Sequence, residues 1–314
     1  MLKGKPKQAR RDFLRGIGVL TAGLFLPECS VPVKEALSTE KKTSLHKILA
    51  CNIRVALPED EEKGVGWNAR KEICANIIRK QNPDIVCFQE VIKIQADDLR
   101  NFFPDFVFFG FEGPEMDKLP EGYHGIAKNP IMFSRVRYEV VSGGCFWLSE
   151  EPLIGGSKSW GTARARNVNW VRLRDINTLK EFRVVNTHLD HISQEAREKQ
   201  IDTILMESDQ YLVEFPQLLA GDFNSDSRNA VVKRIVDQGW NDTWTSVHGT
   251  INPGFTGHGF LGLEKATKTG GNGKIDFIFS RGNIIARKAE IIRDKENGIY
   301  PSDHFFVSAE VVLV

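Results

Sequence analysis

Acidic, amide and histidine side chains recur along this 314-residue chain at the points where β-strands are expected to end. Glu90 closes the apolar run IVCFQ, and Asp222 closes the run LLAG. Active-site groups often gather at such positions, because a rigid sheet holds the side chains at its edge in fixed geometry. The pattern predicts a site over a packed sheet, with these candidate residues: Asn52, Glu90, His188, Asp222, Asn224, Asp276, Asp303 and His304.

Three of the candidates, Asn52, Glu90 and Asp303, offer oxygen ligands that suit a hard cation. Mg²⁺ and Mn²⁺ prefer such ligands together with water, whereas a zinc site usually shows histidines or cysteines clustered at short spacing. The sequence shows no such cluster. A hard cation neutralises phosphoryl oxygens and can lower the pKa of a bound water, so we expect Mg²⁺ or Mn²⁺ and phosphate chemistry.

Other candidates suit acid–base work. Asp222 could orient or deprotonate a water, and His304 paired with Asp276 could hold an imidazole ready to donate to a phosphate. Each residue alone also has an ordinary explanation: Glu90 as a surface carboxylate, His188 as a hydrogen-bonded core histidine, Asp222 as a turn former beside a glycine. Their joint occurrence in this order favours catalysis.

The period-2 alternation of a strand supports this placement. In FRVVNTHLD, the side chains of Asn186, His188 and Asp190 are expected to share one face, with the apolar side chains between them on the other. Likewise Asp222 is expected to face the site and Phe223 the core. Polar atoms on one face and apolar atoms on the other suit a site lying over a packed sheet.

The chain from Leu45 onwards alternates β-prone runs with helical patterns and shows no repeat or break in composition, so one domain at 45–314 is expected. A stretch rich in Gly and Pro at 112–130 predicts a long loop. Helices are predicted at Arg70–Lys80, Glu195–Leu212 and Arg228–Gln238. Strands are predicted at Lys47–Val55, Ile85–Val91, Pro130–Phe133, Val168–Leu173, Phe182–Leu189, Gln217–Asp222, Ile275–Phe279 and Phe305–Val314.

Residues 1–29 are expected to be an export signal. A basic flank precedes an apolar stretch that is too short to span a bilayer, and Arg10-Arg11-Asp12-Phe13-Leu14-Arg15 resembles the address read by the twin-arginine translocation machinery. The alternative is a basic amphipathic helix. Cys29 could carry a lipid anchor, because a leucine lies three residues before it, although the intervening Pro and Glu are poor residues for that signal. Residues 30–44 are polar and predict a linker, and the mature protein is expected in the periplasm or outside the cell.

The composition sets limits on the partners. There are 42 basic and 41 acidic residues, a balance that disfavours a processive DNA-binding protein, which usually shows a basic excess. The five cysteines show no C-x-x-C pair, and their odd number argues against a complete disulfide framework. Cys51 and Cys87 lie in apolar runs and are expected to be buried thiols. No stable protein partner is predicted, so we expect a monomer.

Six motifs in this order resemble the endonuclease/exonuclease/phosphatase superfamily: CNIR, PDIVCFQEV, NTHLDH, GDFN, KIDFIF and PSDHF. The resemblance covers residues 45–314. It implies an α/β (α+β) four-layer sandwich of the DNase I type, in which two stacked, mostly antiparallel β-sheets are flanked by helices. The NTHLDH form, with FWLSEEP before it, is most similar to a bacterial branch of exported metal-dependent hydrolases.

The resemblance also implies residue roles. Asn52 and Glu90 would hold the metal, with Asp303 close by as a further ligand. Asp222 would position the attacking water, aided by Asn224.

The remaining roles concern the phosphate. Asp276 would orient His304, which would contact the scissile phosphate, and His188 would stabilise the transition state or protonate the leaving oxygen. Whether the general base is the carboxylate or a histidine stays open. Arg166 lies where relatives place a phosphate-contacting arginine, and its alternative is a surface arginine of a strand.

These observations predict hydrolysis of a phosphodiester or phosphomonoester outside the cytoplasm. A nuclease and a hydrolase of small or lipid phosphates both remain open, although the neutral charge leans towards smaller substrates. A non-catalytic binding module on the same fold is the alternative, because fold alone does not imply function. That alternative predicts the loss of Glu90, Asp222 or His304, and all three are present.

Overall fold

Apolar runs along the chain become strands of two stacked β-sheets. The computed structural model describes residues 45–117, 126–265 and 273–314, so the predicted export signal, the linker and Cys29 lie outside the described residues. The strands are β1 (Leu45–Asn52), β2 (Ile85–Gln89), β3 (Phe106–Phe109), β4 (Ile131–Ser134), β5 (Tyr138–Trp147), β6 (Asn167–Asp175), β7 (Glu181–His188), β8 (Gln217–Asp222), β9 (Asn241–Asp242), β10 (Asp276–Arg281), β11 (Ile284–Ile292) and β12 (Phe306–Leu313). The helices are α1 (Pro58–Glu62), α2 (Trp67–Gln81), α3 (Lys93–Phe102), α4 (Pro114–Asp117), α5 (Gln194–Ser208), α6 (Ala230–Asp237) and α7 (Thr243–His248), with a 3-10 turn at Gly262–Glu264.

The described strands form two six-stranded sheets. One has the order β11-β12-β1-β2-β4-β3 and the other the order β5-β6-β7-β8-β10-β9. The pairs β1–β2 and β7–β8 are parallel, and the other neighbouring pairs are antiparallel. The predicted pair of mostly antiparallel sheets is therefore confirmed.

Alternating side chains build the layers. Ile48 of β1 and Leu218 of β8 point into the apolar core between the sheets. Leu49, the next residue of β1, faces the other way and packs with residues of α2 and α3. Leu219 packs outwards in the same manner with residues of α5 and α6. The result is a helix–sheet–sheet–helix sandwich, which is the predicted architecture. Within the described ranges, no helix is both long and apolar enough to span a bilayer.

The predicted helices at 70–80, 195–212 and 228–238 exist, with different ends. Helix α2 is followed by Asn82, which has a left-handed backbone conformation (φ of 47°). A proline comes next, as expected after a helix end. Helix α5 begins after Ser193, whose side chain accepts a hydrogen bond from the Ala196 amide. The prediction that it reaches Leu212 on a shared apolar face is wrong, because the chain must turn back to enter β8, and Leu212 is 78% exposed.

The sequence patterns did not predict several elements, among them α3, β3, β5, β11 and α7. The segment 112–130, predicted as a loop, contains the short helix α4. Strand β5 lies at a sheet edge and carries Gly143 and Gly144, so apolar alternation is missing there. The edge needs both glycines, since a Cβ at Gly143 would lie 2.5 Å from the Phe109 ring and one at Gly144 2.9 Å from the Trp170 indole.

Candidate active site

The carboxyl ends of the central strands meet at one edge of the sandwich. Asn52 is the last residue of β1, Glu90 follows β2, and His188 and Asp222 end β7 and β8. All four side chains are largely buried. Because β1 with β2 and β7 with β8 run in parallel, the structure brings these candidates together, as the positions at strand ends predicted.

Asn52 joins the two sheets across the site. Its Nδ2 donates to Glu90 Oε1 at 3.2 Å and to Asp222 Oδ2 at 3.0 Å, while its Oδ1 accepts from the Arg54 amide at 3.0 Å. The other oxygen of Glu90 accepts from the Val55 amide at 3.0 Å. One amide side chain thus fixes a carboxylate of each sheet, which pre-organises the site.

Three residues with left-handed backbone conformation lie at the site. Arg54, Glu90 and Asn224 have φ values of 58°, 62° and 48°, in the left-handed region that few residues other than glycine adopt. Asparagine tolerates this conformation, but arginine and glutamate do so less readily. Such strain costs on the order of 1–3 kcal/mol per residue and collects at functional sites.

The GDFN segment shows how a short motif aims its side chains. Gly221 is required, because a Cβ there would lie 2.0 Å from the Thr187 carbonyl oxygen of the neighbouring strand. Asp222 then faces the site, and Phe223 is buried in the outer core, as the alternation predicted. The Asn224 amide donates to Asp222 Oδ1 at 2.8 Å.

Asn224 also holds His188. Its Nδ2 donates to the Leu189 carbonyl at 3.0 Å and lies 3.0 Å from His188 Nε2, which accepts a second hydrogen bond from it. The pKa of His188 is lowered well below its usual value, first by burial and then by the charge of Arg166. His188 is therefore neutral with its proton on Nδ1, and this Nδ1 is buried without a hydrogen-bond partner among the described residues.

His304 behaves in the opposite way. Its Nδ1 donates to Asp276 Oδ2 at 2.9 Å, and Thr256 Oγ1 accepts from the Asp276 amide at 3.2 Å. Burial lowers the pKa of His304, but the charge and hydrogen bond of Asp276, with Asp303 and Asp222, outweigh burial and raise this pKa well above its usual value. The pKa of Asp222 is raised to about 7, by burial first and then by the charge of Asp276.

Two groups of residues could hold a cation. Glu90 is the carboxylate of an oxygen group with Asn52, and each of its oxygens accepts one hydrogen bond, which leaves ligand capacity for a hard cation. Asn52 turns Nδ2 towards Glu90, and its Oδ1 accepts from the Arg54 amide, so Asn52 could add an oxygen ligand only through Oδ1. The other group is Asp222, Asp276 and His304, whose ligand atoms lie within 4.8 Å of one another. In that group the Nδ1–Asp276 hydrogen bond already uses one ligand atom of His304. The oxygen group therefore fits Mg²⁺ or Mn²⁺ better.

Asp303 reaches the site through Arg54, a residue that the sequence patterns missed. Arg54 Nη1 lies 3.5 Å from Asp303 Oδ2, and Arg54 Nε donates to Asp60 Oδ2 at 2.8 Å. The arginine thus holds Asp303 beside the Asn52–Glu90 group. Its place in the CNIR motif, two residues after Asn52, was the only signal for it.

A buried network of amides below the site was also missed. Gln89 Nε2 donates to Asn186 Oδ1 at 2.7 Å, and Asn186 Nδ2 donates to the Asn129 carbonyl at 3.0 Å. Asn169 Nδ2 reaches the same carbonyl at 2.8 Å. Hydrogen-bonded side chains of this kind rigidify the space between the sheets under the catalytic groups. Asparagines at inward positions of apolar strands could have revealed it.

Arg166 is 4% exposed, so the alternative of a surface arginine is wrong. Its Nη2 donates to His191 Nδ1 at 3.2 Å, and its Nε lies 4.0 Å from Asp190 Oδ1. It makes no hydrogen bond to His188, yet its charge contributes to the lowered pKa of that histidine.

A model of the endonuclease/exonuclease/phosphatase family matches residues 49–304 of this chain. The chain belongs to this family. A family member from Bacteroides vulgatus is 27% identical with a TM-score of 0.76, covering 86% of this chain and 99% of its own. Another family member, from Bacteroides thetaiotaomicron, is 25% identical with a TM-score of 0.75, covering 86% of this chain and 98% of its own.

Two further similarities are more limited. The mannosyl-6-phosphatase Bt3783 of Bacteroides thetaiotaomicron shares the fold at 24% identity, with a TM-score of 0.75 over 85% of this chain and 99% of the phosphatase. Uncharacterized protein L388 of Acanthamoeba polyphaga mimivirus is 28% identical over 170 residues, which are 52% of this chain and 60% of the viral protein. The match thus covers less than two thirds of the viral protein.

Proposed function

We propose that this family member is an exported phosphoesterase that uses Mg²⁺ or Mn²⁺ to hydrolyse a phosphodiester or phosphomonoester by attack of water. The observation that carries the proposal is the double hydrogen bond of Asn52. It fixes the carboxylate of Glu90, on the side suited to a cation, against Asp222, on the side suited to water. The His304–Asp276 pair lies beside them, with His304 Nδ1 4.0 Å from Asp222 Oδ2.

The residues support a division of labour. Asp222 orients the water and accepts its proton, and the Asn224 amide holds one oxygen of that carboxylate. The raised pKa of Asp222, about 7, suits a general base at neutral pH. A bound cation would neutralise charge on the phosphate and stabilise the leaving oxygen.

The two histidines are suited to different tasks. His304 has a raised pKa and is therefore protonated, so that it can donate to a phosphoryl oxygen. His188 has a lowered pKa and holds no acidic proton at neutral pH. This difference supports stabilisation of the transition state by His188 over protonation of the leaving oxygen, because a neutral imidazole is a poor proton donor.

Metal-dependent hydrolysis is the test. The full chain would be stripped of metal, resupplied with Mg²⁺ or Mn²⁺, and given DNA, RNA, an inositol phosphate, a phospholipid headgroup ester and an aryl phosphodiester. We expect metal-dependent cleavage of at least one of these, a rise in the metal concentration for half-maximal rate in Glu90→Gln, and a loss of about 10²-fold or more in rate in Asp222→Ala.

Either substitution leaving the rate and metal response unchanged would show that the site is assigned wrongly. A folded protein that binds metal and cleaves nothing would favour a binding role instead. Export is tested by fractionating cells that produce the full chain. The activity should appear outside the cytoplasm, and replacing both Arg10 and Arg11 with lysine should keep it in the cytoplasm.

A further inference from the structure

Arg166 is a buried cation whose hydrogen-bonding capacity is largely unused. It is 4% exposed, and its one side-chain hydrogen bond to the described residues is the one that Nη2 donates to His191. Its Nε is buried without a partner. Because a guanidinium has five N–H donors and buried donors are normally paired, this side chain is poised to bind an acceptor that the protein itself does not supply.

Asp190 balances the charge of Arg166 without using its donors. The Asp190 carboxylate accepts hydrogen bonds from the backbone amides of Ala163 at 2.9 Å, Ile192 at 2.9 Å and Ser193 at 2.7 Å. Burial would raise the pKa of Asp190, but these backbone hydrogen bonds lower it, so the carboxylate is ionised. Its oxygens therefore accept from two amides of the turn after β7 and from one amide before β6, and Arg166 keeps donors free for a ligand.

That turn carries His191. The guanidinium can only donate, so His191 Nδ1 must accept and the neutral ring carries its proton on Nε2. The side chain is 40% exposed, and Nε2 bonds to none of the described residues. Both groups lie at the end of β7 that carries His188: Val168 of β6 pairs with Thr187 of β7, Arg166 immediately precedes β6, and His191 follows His188 by three residues.

We propose that His191, held in place by Arg166, completes a subsite for a free phosphoryl oxygen and thereby makes the enzyme prefer phosphomonoesters to phosphodiesters. The inference rests on the proposed phosphoesterase function. A monoester carries one more unesterified oxygen and, above its second pKa near 6, one more negative charge than a diester. A fixed cation with a neutral N–H beside it matches that oxygen, whereas a diester would place an esterified oxygen, a poorer acceptor, against it.

His191 is the position that separates this role from general catalysis. With the full chain and Mg²⁺, steady-state rates would be measured for an aryl phosphate and the matching aryl methyl phosphodiester. We expect His191→Ala to raise KM for the monoester, and the inhibition constant of inorganic phosphate, by about 10-fold. The change in kcat/KM for the diester should stay within about 3-fold. His191→Asn should restore binding in part, because its amide can both accept from Arg166 and donate to the phosphate.

The control is His248→Ala, which removes a histidine of α7 whose Nε2 contacts the Ala289 carbonyl, away from the site. It should change neither KM nor inhibition by phosphate. Equal losses on the two esters in His191→Ala, or unchanged inhibition by phosphate, would overturn the subsite. A third outcome would also overturn the subsite: His191→Ala losing most activity on a dinucleotide diester that carries a second phosphate. His191 would then contact the phosphate of the neighbouring nucleotide and not the phosphate that is cleaved.

A second measurement does not need turnover. Inorganic phosphate should raise the unfolding temperature of the Mg²⁺-loaded wild-type chain, and His191→Ala should lose most of this shift. If wild type cleaves no ester but shows the phosphate-dependent shift, and the variant loses it, the proposed function fails while the subsite stands. No shift in wild type, or the same shift in His191→Ala, would refute the subsite.

Discussion

Two histidine–aspartate pairs lie at opposite ends of β1, and they behave in opposite ways. His304 and Asp276 pair at 2.9 Å next to Asn52, and His46 Nε2 lies 3.7 Å from Asp175 Oδ2 at the other end. His46 and Asn52 are six residues apart on the strand, or about 20 Å. All the side chains of the two pairs are mostly or fully buried. Yet the pKa of His304 is raised and that of His46 is lowered to about 4.

The neighbours of each pair explain the difference. Burial disfavours the charged form of both rings. Around His304 the carboxylates of Asp276, Asp303 and Asp222 overcome burial and keep the ring protonated. An excess of negative charge at the site edge therefore prepares this histidine to donate.

At the other end the charge is already balanced. Arg137 donates to Asp175 Oδ2 at 3.1 Å and meets Asp84 Oδ1 at 2.7 Å, and its charge adds to burial in lowering the pKa of His46. The Tyr138 hydroxyl, 2.7 Å from His46 Nδ1, completes a closed cluster. In this molecule, therefore, the pair whose carboxylate also binds an arginine has the histidine with the lowered pKa.

Replacing each histidine with glutamine gives the largest expected contrast. His304→Gln should lower kcat by about 10³-fold, because the protonated donor next to the phosphate is lost. His46→Gln should change kcat by less than about 3-fold while lowering the unfolding temperature. Rates at saturating substrate and thermal unfolding curves would be compared for both proteins. Comparable rate losses would mean that the two ends are not functionally distinct.

Acid sensitivity gives the next largest effect. The folded-state pKa of His46, about 4, lies below its unfolded value near 6.5, so the unfolded chain binds more protons between these pH values. Above pH 6.5, His46 is neutral in both states and does not lower the free energy of unfolding. As the pH drops from 6.5 to 4, the free energy of unfolding falls by up to about 3 kcal/mol because of this group.

His46→Phe removes that group, so its free energy of unfolding should fall less steeply from pH 6.5 to 4 than that of wild type. Denaturant titrations at several pH values would measure the slope. Tyr138→Phe is the matched control. It deletes the hydrogen bond but leaves the buried ring, and burial is the main cause of the lowered pKa, so its slope should stay as steep as in wild type. An unchanged slope in His46→Phe would mean that other groups dominate acid unfolding.

The residues at the two ends of β1 also differ in how far they could be predicted from the sequence. Glu90, His188 and Asp222 were predictable as a group, because each lies at the end of a recognisable apolar strand. Asn52 was predicted inside the first strand, Lys47–Val55, and the structure shows that the strand ends at this residue. The layers followed from alternation and helical periodicity for the same reason. Local patterns are sufficient where a strand is buried on both faces and its end carries chemistry.

What could not be predicted depends on distant contacts. His46 meets Asp175 and Tyr138 only through the pairing of sheets, and no motif joins these positions. The left-handed Arg54 and its bridge between Asp60 and Asp303 arise from the turn after β1, which has no glycine to mark it. Edge strand β5 was not predicted, because its two glycines are required by contacts with the aromatic rings of Phe109 and Trp170, which are distant in the sequence.

Each end also contains an arginine that bridges two carboxylates, and this pair yields the smallest expected effect. Arg54 spans Asp60 and Asp303 at the site, as Arg137 spans Asp84 and Asp175 at the far end. Lysine keeps the charge but lacks the planar fork that bridges two acids. Arg54→Lys should therefore loosen Asp303 and raise the Mg²⁺ concentration for half-maximal rate by about 10-fold, as loss of a ligand-orienting contact typically does.

Arg137→Lys should leave that Mg²⁺ requirement unchanged and lower the free energy of unfolding by about 1–2 kcal/mol, because a buried carboxylate loses a charged hydrogen bond. Metal titrations of the rate, together with denaturant unfolding, separate the two outcomes. If Arg54→Lys affected only stability, Asp303 would not depend on the arginine for its place near the cation. The excess of negative charge around His304 would then remain sufficient by itself to distinguish the catalytic end of β1 from the structural one.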